Sequence, residues 1–219
     1  MKKRICALAL VLITLCLALT GCVKVVPLNS GASGTNTGDT KGTDENFDAA
    51  AFISKNFGSK FVPELEKNAV DFTALMKESG GKLDTVGKKY GHRATADSSY
   101  NYVVKGTAKV DEIKTELRAG YVTLKFDGYT GSEPVQLQVG PVFKGTALRD
   151  SIPSIKFDDF RNQVTYAAIS TELHKYVTQK VLPGSKPADW KGKAIEFEGA
   201  FADDGSGTIV ITPFELKVK

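Results

Sequence analysis

Tyr100-Asn101-Tyr102-Val103-Val104-Lys105-Gly106-Thr107-Ala108-Lys109-Val110-Asp111 is where the chain changes its period. Tyr102, Val104, Gly106, Ala108 and Val110 fall on one face, and Val103, Lys105, Thr107, Lys109 and Asp111 on the other. Successive side chains of a strand point to opposite faces, so this alternation predicts a strand with one face buried. Val122, Leu124 and Phe126 repeat the pattern. Val135, Leu137 and Val139 repeat it again, with Gln136 and Gln138 outward. Ala119-Gly120 and the stretch from Asp127-Gly128 to Pro134 supply the turns.

Beyond these strands lies a long connection, then a run from Tyr166 to Leu182 in which Ile169, Leu173, Tyr176, Val177 and Val181 form one helical stripe. Pro183-Gly184 stops it. Ile195, Phe197, Gly199 and Phe201 alternate once more. The turn Asp203-Asp204-Gly205-Ser206-Gly207 leads to Ile209 and Ile211, and Pro213 then flips the phase to Phe214, Leu216 and Val218. A bulge at Thr212–Pro213 accounts for the flip. Three strands, a helix and two strands is the element order of an OB-fold. The expected fold class is α+β, with an OB-like five-stranded antiparallel barrel over residues 100–219 and a helix between strands three and four.

Upstream, residues 46–99 read as a helical layer. Asp48 is placed to cap a helix carrying Phe52, Ile53, Phe57, Phe61 and Leu65, weakened at Gly58 and Pro63. Asp71 caps a second, with Phe72, Leu75 and Met76. Gly80-Gly81 breaks the chain, and Lys82–Tyr90 forms a third, ended by Gly91. Residues 29–45 contain no apolar side chain larger than Ala, so nothing offsets the entropy of ordering them. They read as a flexible tether reaching about 23 Å.

The first residues carry an address. Lys2, Lys3 and Arg4 precede an apolar run, Ile5–Leu19, too short to span a bilayer, which takes about 20 residues. It ends in Leu19-Thr20-Gly21-Cys22. Residues 1–21 are the expected signal peptide and 22–28 the lipidated N-terminus, with Cys22 taking the lipid and tying the protein to the membrane. Two or three acyl chains hold stably where one does not. Removal of Lys2, Lys3 and Arg4 lowers the formal charge from +4 to +1. No strongly basic face remains to bind nucleic acid. Cys6 and Cys16 leave with the signal and Cys22 is acylated, so no disulfide is expected.

Chemistry-bearing motifs are sparse. His92 and His174 are the only histidines, too few nitrogen or sulfur ligands for a zinc site. No Gly-x-Ser-x-Gly elbow presents a serine. The acidic turn at Asp203 lacks the spacing of an EF-hand and reads as a hairpin. Trp190 reads as packing at the start of strand four. No catalytic residue, metal ligand or cofactor is expected. The candidate binding surface is Arg149, Asp150, Asp159, Asn162 and Gln163, in the long connection between strand and helix where recognition residues tend to lie. Arg149 offers a planar fork to carboxylates or paired hydroxyls. The competing account pairs Arg149 internally and uses Asp159 or Asn162 as a helix cap.

Gly140-Pro141-Val142-Phe143-Lys144-Gly145-Thr146-Ala147-Leu148-Arg149-Asp150, with Ile155-Lys156-Phe157-Asp158-Asp159-Phe160-Arg161-Asn162-Gln163, resembles the domain of unknown function 2291 family of predicted periplasmic lipoproteins. The likeness extends to Val25-Val26-Pro27, Phe47-Asp48-Ala49-Ala50, Ala69-Val70-Asp71 and Gly199-Ala200-Phe201. It leaves out the tether. The resemblance implies an extracytoplasmic location and, because such genes often neighbour those of sugar ABC importers, an accessory role in solute uptake. It implies no catalytic residue. The expected function is thus a lipid-anchored, non-enzymatic accessory protein that binds a partner protein, including ABC transporter components, or a small polar solute. The alternatives are a purely structural envelope lipoprotein and an extracytoplasmic hydrolase.

Overall fold

A computed structural model of the protein describes residues 47–219, apart from 161, 183 and 185. Cys22, the signal segment and the tether lie outside the described residues. Helix α1 spans Ala49–Asn56, and the Asp48 carboxylate accepts the Ala51 N–H at 2.9 Å as its cap. The coil continues through a π-helical turn, Phe57–Phe61, into α2, Val62–Asn68. Pro63 has no N–H to continue the ladder, and the wider turn just before it, with the Val62 N–H reaching back to the Phe57 carbonyl, absorbs the break. After β1 (Val70–Asp71), Asp71 caps α3, Phe72–Ser79, which Gly80 closes at φ 59°. A short 3-10 turn, α4 (Gly87–Tyr90) and β2 (Gly91–His92) complete the region.

The barrel strands are β3 (Asn101–Lys114), β4 (Ala119–Lys125), β5 (Val135–Pro141), β6 (Ala194–Ala202) and β7 (Ile209–Val218). Between β5 and β6 lie α5 (Ala147–Asp150) and α6 (Gln163–Tyr176), the latter extended by a second π-helical turn, Val177–Val181. The strands close in the order β3–β4–β5–β7–β6 and back to β3, which is the OB-like barrel. One seam departs from the antiparallel expectation: β5 and β7 run parallel, Val135 opposite Ile209 and Leu137 opposite Ile211. A ring with an odd number of strands cannot alternate direction all the way round, so one parallel pair is unavoidable. Opposite Pro213 the register of β6 and β7 shifts at Gly199, where a Cβ would lie 2.5 Å from Ile211 Cγ2. The bulge flips the phase for Leu216 and Val218, which pack against the barrel, whereas Phe214, expected on their face, lies on the outer side of the sheet as the extra residue.

Two apolar clusters result. Tyr102, Val104, Val110, Leu124, Leu137, Phe197, Phe201 and Ile211 fill the barrel, joined by Trp190 and by Phe72, Leu75 and Met76 of α3. The Phe72 ring stacks on Phe126 at 4.4 Å. The second cluster lies on the outer side of the sheet: Ile53, Phe57, Phe61 and Leu65 of the first helices meet Ile169, Leu173 and Val177 of the α6 coil over Val103, Ala200 and Phe214. The helical region before the barrel therefore divides. α3 belongs to the barrel core, whereas α1 and α2 pack with α6 over the outer phase of β3, so that Val103 is buried beneath them as Val104 is buried in the barrel.

Candidate functional site

Phe143, Ala147, Leu148, Ile152 and Ile155 of the connection are buried in the outer cluster and pack it against the helices. That packing draws Arg149 inward. Its guanidinium meets Asp150 Oδ1 through Nε and Nη2, both at 2.7 Å, and Nη1 donates to the Tyr166 carbonyl at 3.2 Å. Its plane lies 3.7 Å over the Tyr166 ring. The remaining acceptor capacity of Asp150 is filled by Thr146 Oγ1 at 2.6 Å and the Tyr166 hydroxyl at 3.1 Å. The Asp150 carbonyl, which can only accept, takes the Nδ1 proton of His92 at 2.6 Å. Arg149 and Asp150 are thus an internal clamp between the connection and α6. His174, stacked on Phe143 at 5.4 Å, is held below its ordinary range by burial and then by the charge of Arg149.

The other members of the expected binding surface are not part of that clamp. Asn162 caps α6, its Oδ1 accepting the Thr165 N–H at 2.9 Å. Gln163 is the first helical residue and is exposed. Asp159 is exposed in the 3-10 turn Phe157–Asp159. The five residues are close in sequence, but two form the clamp, one caps α6 and two are exposed.

A different surface carries open polar chemistry. Beside the two π turns, one within the first helical coil and one at the end of the α6 coil, lies a groove of about 880 Å³. Phe57 and Val62 from one coil and Tyr176, Lys180 and Val181 from the other form its walls. Phe57 and Tyr176 stack at 4.3 Å and join the two. The outer faces of β3, β6 and β7 are its floor. Strand register lays a row of charges across that floor: Asp71 opposite Lys105, Lys105 opposite Glu198, and Glu198 opposite Glu215. Thr107, Glu196 and Lys217 form the next row.

These carboxylates differ in what they touch. Asp71 accepts from Thr73 Oγ1 at 2.5 Å and from the Ala74 N–H at 2.8 Å, and the Thr73 bond leads in holding it below the usual range. Glu196 pairs with Lys219 and is likewise lowered. Glu198 goes the other way: burial first, then the charge of Glu215, raises it. Its Oε2 is sealed from solvent with no hydrogen-bond partner among the described residues. A desolvated acceptor without a donor is costly, and native structures seldom keep one without reason. The sequence analysis did not single out Glu196 or Glu198, although the alternation of Ile195, Phe197, Gly199 and Phe201 puts both on the opposite phase of β6. The Pro213 flip was the available signal that Glu215 shares their face. Among the described residues no group of three His, Cys, Asp or Glu is placed to hold a metal ion, and no helix is long and apolar enough to cross a membrane.

Comparison with known proteins places the chain. Residues 12–217 match the family of unknown function described as predicted periplasmic lipoproteins, and the chain belongs to that family. Its location is accordingly extracytoplasmic and lipid-anchored. Among solved structures it is similar to an OB-fold protein of Thermotoga maritima, at 18% identity and a TM-score of 0.65, over 80% of this chain and 100% of that one. That likeness speaks for the fold alone. No curated protein matches the chain.

Proposed function

We propose that this lipoprotein is a non-enzymatic accessory protein, held at the membrane through lipid on Cys22, whose groove captures a small polar solute for an ABC-type sugar importer. The observation that carries the reading is the groove floor, where Glu198 keeps a buried acceptor oxygen without a partner among the described residues. Half-buried Tyr176, stacked on the buried Phe57, adds apolar surface beside it, the usual composition of a small-molecule site. The link to sugar import rests on the gene neighbourhood that the family resemblance implies. A thermal-shift screen of the full lipidated protein against sugars is the test. A sugar at one hundred times its dissociation constant adds about 2.7 kcal/mol of stability. No shift with any sugar would return the protein to a purely structural envelope role. Crosslinking and pull-down from membranes tests the importer separately, with transporter subunits the expected catch. For the anchor, Cys22→Ala is expected to block lipid attachment and processing, read by mass spectrometry of the mature N-terminus.

A further inference from the structure

We infer that Glu198 is the acceptor on which a neutral, polyhydroxylated solute is seated in the groove, and that seating it drives a proton off the Glu198 carboxyl group. The inference deepens the solute-binding reading above and depends on it. Geometry carries it: Glu198 lines the groove in the middle of a charged row across three barrel strands, and its sealed Oε2 meets no donor among the described residues, so a rotation of the carboxyl group brings that oxygen to the groove with no hydrogen bond lost. The groups around it are Lys105 on β3, Glu215 on β7, Glu66 on α2 and Glu196 on its own strand, with Lys180 at the end of the α6 coil. Lys105 favours the carboxylate, while Glu215 and Glu66 oppose it along with burial, and the opposing terms win. Free Glu198 therefore holds its proton to a higher pH than an ordinary glutamate.

The chemistry of the lining selects the class of solute. Lys105, Lys180 and Lys217 stand against Asp71, Glu196, Glu198 and Glu215. Signs so nearly balanced give no single-sign field to concentrate a cation or an anion. A hydroxyl both donates and accepts, so vicinal hydroxyls satisfy carboxylate and ammonium neighbours alike. Half-buried Tyr176, backed by Phe57, offers an apolar surface to the C–H face of a ring. When a hydroxyl donates to Glu198, the charged form is favoured, the carboxyl proton goes to solvent, and no covalent bond is made or broken.

Isothermal calorimetry on the full lipidated protein in detergent micelles tests this, with glucose, xylose and ribose as probes. Titrations run at pH 5 and pH 7, each in two buffers of different ionisation heat. The expected result is tighter binding at the higher pH and, at the lower, where free Glu198 carries more proton, a larger buffer-dependent heat that reports proton release. Glu198→Gln should weaken binding roughly tenfold or more and remove the pH dependence. Binding without proton release, or wild-type affinity in Glu198→Gln, overturns the role of Glu198. Val62→Trp, which fills the groove, separates the two levels. If probe binding survives it unchanged, the groove is not the site and both readings fall. They also fall if no probe binds the wild type. Should Glu198→Gln fail to fold, the pH and buffer dependence of the wild type decides alone.

Discussion

Arg149 and Glu198 make an instructive pair. Both are charged residues drawn partly out of water, one in a long connection and one on a strand. Arg149 has been given every partner it can use: a carboxylate, a carbonyl and an aromatic face. Glu198 has been given a like-charged neighbour and a sealed, unpartnered oxygen. The first arrangement fixes the loop to α6, and the second leaves binding capacity unspent. Residue type pointed toward the arginine, and geometry points toward the glutamate. A charged side chain is informative about recognition when its local partners are missing, not when it sits in a distinctive motif.

The sharpest way to break this comparison is Arg149→Ala. The substitution leaves the Asp150 carboxylate buried without its cation. It is expected to cost about 3–5 kcal/mol, the usual range for one half of a buried pair. Urea denaturation beside the wild type measures it. A loss below about 1 kcal/mol would mean that the clamp is dispensable and that Arg149 is free for recognition after all.

The contrast also shows what a sequence can and cannot carry. Val104, Leu124, Leu137 and Phe197 lie on the apolar phase of their strands and are all in the barrel core. Ile169, Leu173 and Val177 are the buried stripe of the α6 coil, and Pro213 does mark the register shift. Each of these follows from periodicity along one segment. Val103 has the opposite phase yet is equally buried, because α1 and α6 cover that face. Period assigns a face but does not say what packs on it. The groove needs still more. It depends on pairings between β3, β6 and β7 and on where the π turns of two helical coils lie over them, and no single stretch contains that information. Arg149 was ambiguous for the same reason, since its partners include Tyr166 in the next helix and its burial comes from the surrounding apolar cluster.

A smaller effect tests the remaining residues of the connection. Asn162→Ala removes the cap of α6 and is expected to cost about 1 kcal/mol. Gln163→Ala and Asp159→Ala, both exposed, should stay within roughly 0.5 kcal/mol. All three are expected to leave sugar-probe binding as in the wild type, by calorimetry. Loss of binding in Gln163→Ala or Asp159→Ala with stability intact would restore the connection as a recognition surface and demote the groove.

The smallest expected change is a gain. Because the folded protein holds Glu198 above its ordinary range, folding takes up protons there. The sign follows: this contribution favours the fold fully below the unfolded pKa, about 4.3, and is lost as pH rises through the higher folded value. At neutral pH the wild type therefore keeps a carboxylate in a place that disfavours it. Glu198→Gln removes the charge, its repulsion with Glu215 and its desolvation cost while retaining the shape. Melting temperatures of the two proteins should converge near pH 4, and the Gln variant should lead by a margin that widens toward pH 7. A margin that is constant across that range would show that Glu198 titrates like a solvated glutamate. The middle of the groove floor would then be an ordinary exposed strand face, and the difference from Arg149 would lose its meaning.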